Sequence, residues 1–329
     1  MFTITDDALT ARRLSAELRA DARRGLTAHP KQMPPKWLYD DRGSALFEEI
    51  TRLPSYYPFL AESRLLADCS ADIASATGAR TLIELGPGAA SKTCLLVSAL
   101  SSRGTLYDYV PVDVSASALG MAYAALSSAY PSIAVDPVLA DFTTALELPP
   151  SSGPRLVIFL GGTLGNLLPE ERATFLRSVR SSLAPEDALL LGVDLVKDPA
   201  TIVAAYSDAT TAAFSKGILA RLNRELGADF DLDLFEHVTV WDAEAEWVEM
   251  RLRSLKDVTV TLRGLDGLAV HFNEGEELRT EISAKFREAG LAGELVAAGL
   301  EMTRWYTAPD QFYGLALATP RRAESSPTR

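Results

Sequence analysis

The chain has 329 residues, 47% of them hydrophobic and 23% charged, with a formal charge of −12. That composition describes a globular protein of about two domains, each with enough apolar mass for its own core. The negative charge, with no run of Lys and Arg to offset it, argues against nucleic acid as a partner. No segment approaches the roughly 20 uncharged apolar residues of a membrane helix, and MFTITDDALTARRL lacks the basic-then-apolar pattern of a secretion signal. A cytoplasmic location without a membrane partner is therefore expected. Cys69 and Cys94 lack metal spacing and read as buried free thiols, while His29, His237 and His271 are too scattered to form a ligand set, so no metal is expected.

Residues 8–28 place apolar positions at helical spacing among many charges. The turn-rich HPKQMPPKW follows, then GSALFEEITRLP, which reads as helix, and together these form an N-terminal cap. From about residue 60, AESRLLADCSADIASATG predicts a long helix stopped by glycine. TLIELG is a short apolar strand ended by Gly86-Pro87-Gly88, with a helical SKTCLLVSALSS behind it. The alternation recurs in YVPVDVS with SALGMAYAALSSAY, in IAVDPVLADFT, in RLVIFLGGTLGNL with its helix, and in ALLLGVDLV. Continuous apolar strands alternating with helices predict a parallel sheet covered on both faces.

Between residue 197 and about 286 the alternation breaks. Helices around IVAAYSDATTAAFSKGILARLNREL give way to strand-like HVTVWDAEAEWVEMRLRS and VTVTLRGLDGLAVHF. EMTRWYTAPDQFYGLALAT predicts an antiparallel hairpin at the sheet edge, and PRRAESSPTR a disordered tail. The expected fold class is α/β: a Rossmann-like sheet over 61–196 plus 287–329, with a second, α+β domain over 1–60 plus 197–286 that covers the substrate.

Open parallel sheets bind ligands at the carboxyl ends of their strands. There the first strand gives Glu84-Leu85-Gly86-Pro87-Gly88, whose glycines let the backbone pass close to a ligand. The third glycine of a dinucleotide fingerprint is missing, which disfavours a dehydrogenase. Asp113 closes the second strand, placed to accept from two ribose hydroxyls, and Asp141 with Phe142 follows the third, placed for an adenine amino group and base stacking. The alternative for both acids is a helix cap. Lys92, in the first turn after the glycine loop, suits a methionine carboxylate, or is a plain exposed lysine. Glycine turn, ribose acid and adenine acid after successive strands form the layout of class I S-adenosylmethionine methyltransferases.

The chain also resembles, over nearly its whole length, the histidine Nα-methyltransferases of ergothioneine biosynthesis in their actinobacterial form. The likeness rests on MPPKWLYD at 33–40, ITRLPSYYP at 50–58, FLGGTLGN at 159–166 and DLVKD at 194–198, with NREL at 223–226, DFD at 229–231 and TEISAKF at 280–286. The resemblance implies that Tyr56, Asn166 and Tyr206 hold the substrate carboxylate, that Tyr39 lies beside the reacting amine, and that Glu281 and Ser283 hydrogen-bond the imidazole. Phe47, Met250 and Thr211 would shape the pocket, and Gly161 would join Gly86, Gly88, Lys92, Asp113, Asp141 and Phe142 around S-adenosylmethionine. It implies trimethylation of free L-histidine to its betaine, hercynine, by a monomer.

Two departures stand out: Gly86-Pro87-Gly88-Ala89-Ala90 replaces a more polar loop, and Leu38 replaces an aromatic. Glu281 carries the specificity argument, since a buried carboxylate rewards an imidazole N–H and is left unpaired by phenylalanine; the alternative is an exposed surface acid. Competing functions are Nα-methylation of tryptophan or tyrosine, and a non-catalytic S-adenosylmethionine-binding protein.

Overall fold

In a computed structural model, residues 7–88, 90–142 and 148–321 are described, with side chains from residue 12 onward. The tail from residue 322, expected to be disordered, and Ala89 of the glycine loop lie outside them. The chain divides into two units, Met1–Tyr57 with Lys197–Ala284, and Pro58–Val196 with Lys285–Arg329. No helix among the described residues is long and apolar enough to cross a membrane.

The second of these units is built on four parallel strands, Thr81–Leu85, Asp108–Asp113, Arg155–Phe159 and Ala188–Asp194. Thr81–Leu85 and Ala188–Asp194 are buried at every position, so neither has a face for water and both must be sandwiched by helices. On one side Leu82, Leu156, Ile158 and Leu190 pack with Leu66 and Ile73 of helix Tyr57–Thr77 and with Leu96 and Leu100 of helix Thr93–Ser102. Strand Tyr313–Pro320 runs antiparallel to Ala188–Asp194 and carries Leu300–Thr307 outside it. Among the described residues the sheet order is Leu300–Thr307, Tyr313–Pro320, Ala188–Asp194, Arg155–Phe159, Thr81–Leu85, Asp108–Asp113, Ala134–Val135.

IAVDPVLADFT, expected as one strand, is two short ones, Ala134–Val135 and Val138–Leu139, each parallel to Asp108–Asp113. Pro137 has no N–H to donate, so the ladder is interrupted between them. Cys69 is buried as expected, but Cys94, near the start of its helix, is only half-buried; both are free thiols.

The other unit packs helices Asp7–Leu26, Asp41–Ile50, Pro199–Ala205 and Ala209–Leu226 with a sheet ordered Lys31–Gln32, Glu277–Ala284, Trp247–Ser254, Phe235–Asp242. A separate hairpin pairs Val258–Leu262 with Leu268–Phe272. Three helices of this unit start on acidic caps: Asp40, Asp198 and Asp208 accept from the backbone N–H groups of Gly43, Thr201 and Thr210. Glu277–Ala284 lies in a stretch for which periodicity predicts no definite element.

Candidate active site

Groups suited to a nucleotide lie at the carboxyl ends of adjacent strands in the sheet unit. After Thr81–Leu85 the backbone turns through Gly86 and Gly88 at φ +68° and +52°. A Cβ at Gly86 would stand 3.8 Å from the Phe142 ring, ordinary contact, so conformation rather than space calls for glycine there. Ala90 takes the same left-handed region at φ 53° despite its Cβ, a local strain of the kind that persists where surrounding structure holds it. Phe142 lies edge-on to Phe159, centroids 5.5 Å apart, which leaves the ring fixed beside the glycine turn.

Asp113 ends the neighbouring strand, with Oδ1 accepting from the Ser115 N–H at 2.8 Å. The cap of helix Ala116–Ala129 is Ser115, not Asp113. Burial pushes the Asp113 pKa up to about 6, against the pull of the Ser115 and Val114 amides. An acid at the strand end that does not cap the helix, next to a left-handed glycine turn and a fixed aromatic ring, suits a ribose and an adenine. Asp141 is buried at the end of the third-strand segment.

Of two further carboxylates of the sheet unit, Glu84 entered the sequence reading only as part of the glycine-turn motif and Glu62 was given no role. Glu84 is buried in the first strand and accepts from Thr93 Oγ1 at 2.6 and 2.7 Å and from the Tyr109 hydroxyl at 2.5 Å. It joins two strands to the helix behind the glycine turn, and burial pushes its pKa up to about 7. Glu62, fully buried, pairs with the Lys92 ammonium. The Lys92 side chain is 16% exposed, so it is not a plain solvated lysine. Gly161, at φ +79°, donates its N–H to both Glu62 oxygens at 2.9 Å. Asn166 ends the 3₁₀ turn that follows, Thr163–Asn166.

Amino-acid candidates gather in the other unit. Tyr39 meets Phe47 and Phe214 edge-on at 5.5 and 5.3 Å, Phe47 meets Tyr56 at 6.2 Å, and Tyr56 meets Tyr206 at 5.7 Å. This run of rings ends on a hydrogen bond, since the Tyr206 hydroxyl lies 3.1 Å from Ser283 Oγ. The Tyr206 carbonyl accepts from Thr239 Oγ1 at 2.9 Å and lies 2.9 Å from His237 Nε2. Burial depresses the His237 pKa, which favours the neutral ring. Phe214, missed by sequence, lies three residues after Thr211 on Ala209–Leu226 and reads there only as one more apolar helix position. Thr211 Oγ1 is buried without a hydrogen-bond partner, as is Ser215 Oγ one turn on.

A bulge sets Glu281, together with Ser283, on the face opposite to Glu277 and Arg279. Strand alternation would group it with Glu277 and Arg279. The register with Trp247–Ser254 slips between Arg279 and Glu281: Arg279 pairs with Arg251, but Glu281 pairs with Met250. Thr280 is the extra residue, and its hydroxyl donates to the Met250 carbonyl at 3.1 Å. Glu281 and Ser283 therefore lie opposite Met250 and Val248, both fully buried, while Glu277 and Arg279 stay with Arg253 and Arg251 in a charged ladder. Glu281 is half-buried, not an exposed surface acid. Of the expected carboxylate ligands, Tyr56 and Tyr206 are brought together here, and Asn166 belongs to the sheet unit.

A sheet of this order, with a glycine turn and acids at successive strand ends, is that of the class I S-adenosylmethionine-dependent methyltransferases. The model of the family "Histidine-specific methyltransferase, SAM-dependent" matches residues 18–320, and the chain belongs to that family. It is 49% identical over 312 residues to the histidine N-alpha-methyltransferase of Mycolicibacterium smegmatis, covering 94% of this chain and 97% of that one. The protein of the same name from Mycobacterium tuberculosis is 48% identical over 303 residues, 92% of this chain and 94% of that one. Ergothioneine biosynthesis protein 1 of Neurospora crassa is 35% identical over 185 residues, 54% of this chain and 21% of that longer one.

Proposed function

We propose that the protein transfers methyl groups from S-adenosylmethionine to the α-amino nitrogen of free L-histidine, three in succession, giving hercynine and so opening ergothioneine synthesis. The observation that carries the histidine assignment is the bulge that turns Glu281 onto the Met250–Ser283 face, where a carboxylate and a hydroxyl stand two residues apart to meet imidazole nitrogens. The names of the similar mycobacterial proteins support the same substrate.

S-adenosylmethionine supplies an electrophilic methyl on a sulfonium whose departure needs no protonation. What the chain contributes is alignment, where positioning is worth on the order of 7–11 kcal/mol. Tyr56 and Tyr206 are neutral donors that orient the amino-acid carboxylate without competing for the amine. The Tyr39 ring is fixed by Phe47 and Phe214, so its hydroxyl has a defined position from which to steer the amine lone pair as each proton leaves to water. The surrounding tyrosine and phenylalanine rings offer uncharged, π-faced space for an increasingly methylated ammonium. Trimethylation ends the sequence because no lone pair remains.

Mass spectrometry of each free amino acid incubated with the purified protein and S-adenosylmethionine tests this. Histidine gaining one, two and three methyl groups is the expected result. Methylation of tryptophan or tyrosine instead moves the substrate assignment, and no product from any amino acid leaves a binding protein.

A further inference from the structure

Glu62 lies in the second turn of helix Tyr57–Thr77, fully buried, in a place where an unpaired charge would cost several kcal/mol. Its carboxylate is met from three directions. The Gly161 N–H reaches both oxygens at 2.9 Å, the Tyr313 hydroxyl reaches Oε1 at 3.0 Å, and the Lys92 ammonium closes the set. Room for it exists only because residue 192 is glycine: a Cβ there would fall onto Oε1. Segments as distant as 62, 92, 161, 192 and 313 thus converge on one acid near the carboxyl ends of the central strands. A buried ion pair is a poor source of net stability compared with apolar packing, so so elaborate a set of partners points to a geometric role.

We propose that Glu62 is a positioning residue for S-adenosylmethionine. It fixes the Lys92 ammonium and the Gly161 turn where the methionine end of the cosubstrate is received, and it acts through those two residues rather than by touching the ligand. The proposal rests on the reading that Lys92 and Gly161 line the cosubstrate site. An ammonium has three donors; with one held by Glu62, the others keep a set direction toward an incoming carboxylate. Without the Glu62 charge, Lys92 loses its anchor over the Phe59 ring, 5.2 Å away, and the carboxylate meets an unanchored side chain.

The variant Glu62→Gln keeps the shape and an acceptor for Gly161 and Tyr313 but removes the charge. In the full-length protein, with folding checked by circular dichroism, calorimetry with S-adenosylhomocysteine reads cosubstrate affinity independently of turnover. Its Kd and the KM for S-adenosylmethionine are expected to rise at least about tenfold, the loss of one charge-assisted bond, with the KM for histidine and the saturated kcat within about threefold. Lys92→Met should show a similar loss, and the double variant no more than Lys92→Met alone. Unchanged affinity in Glu62→Gln beside a weakened Lys92→Met, or losses that multiply, overturns the role of Glu62. Unchanged affinity in both overturns the placement of the cosubstrate. Should Glu62→Gln fail to fold, Tyr313→Phe removes one support of the carboxylate, and a wild-type Kd there counts against the proposal equally.

Discussion

The two units obtain their functional groups by different physical routes. In the sheet unit, Asp113, Asp141 and the Gly86 turn stand at strand ends, so parallel topology alone aligns them. In the other unit Tyr39, Phe47, Tyr56, Tyr206 and Ser283 come from segments far apart in the chain, joined by ring contacts and one hydroxyl pair, and Glu281 arrives by a one-residue irregularity. The sheet unit's site follows from a rule of architecture; the other follows from local register, and a small change in register should be far more damaging there.

Inserting one residue between Met250 and Arg251, opposite Thr280, is the strongest test of that difference. With a partner opposite Thr280 the bulge disappears, and strand alternation puts Glu281 on the same face as Arg279 and Glu277 instead of the opposite one. Histidine kcat/KM should fall by about a thousandfold or more, exceeding the roughly hundredfold loss expected for Glu281→Gln, which removes one charged partner but keeps the register. Calorimetry with S-adenosylhomocysteine should be nearly unaffected in both. An insertion variant as active as the wild type would show that the bulge is not what presents Glu281.

A smaller, graded effect is expected on the sheet side, from pH. As the proposed acceptor of ribose hydroxyls Asp113 has to be a carboxylate, and burial pushes its pKa up to about 6, so acidification protonates it in a range where an ordinary aspartate stays charged. Between pH 8 and 6.5 the Kd for S-adenosylhomocysteine should be flat. Below about pH 6 it should rise by up to about tenfold per unit, the limit for a single proton. Asp113→Asn should bind weakly with a flat profile; a wild-type-like slope in that variant would assign the proton to another group.

Legibility from sequence follows the same division. Asp113 and Asp141 were identifiable because each follows an apolar run that reads as a strand, buried before Asp113 and partly exposed before Asp141. Pro137 was the visible sign that the third of those strands breaks, and the apolar residues on both sides of it masked the signal. Glu62 was hidden because an acid within a helix ordinarily faces water, and its burial depends on Gly192 and on Tyr313, which is 251 positions away along the chain. Phe214 was visible only as an apolar helix position, since nothing local distinguishes a ring that meets Tyr39 from one that fills a core. Glu281 could be named only through the family resemblance: period-two alternation in LRTEISA assigns it to the charged face, and a bulge leaves no reliable mark in residue type.

The smallest expected effect concerns stability rather than activity, and it probes the floor beneath the glycine turn. Glu84 has an ordinary pKa of 4.5 that burial pushes up to about 7, so over that interval the folded protein holds a proton that the unfolded chain has released. Stability must then decline as pH rises from 4.5 toward 7, by at most about 1.4 kcal/mol per unit from this group. Glu84→Gln retains an acceptor for Thr93 and a polar partner for Tyr109 but cannot ionise, so its contribution has no slope. Thermal melts across pH 4.5 to 8 should bring wild type and variant close together at the acid end, with the wild type falling progressively behind as pH rises. Parallel curves would mean that the hydrogen bonds from Thr93 and Tyr109 outweigh desolvation and keep Glu84 ionised throughout, making the charge itself part of the structure under the glycine turn.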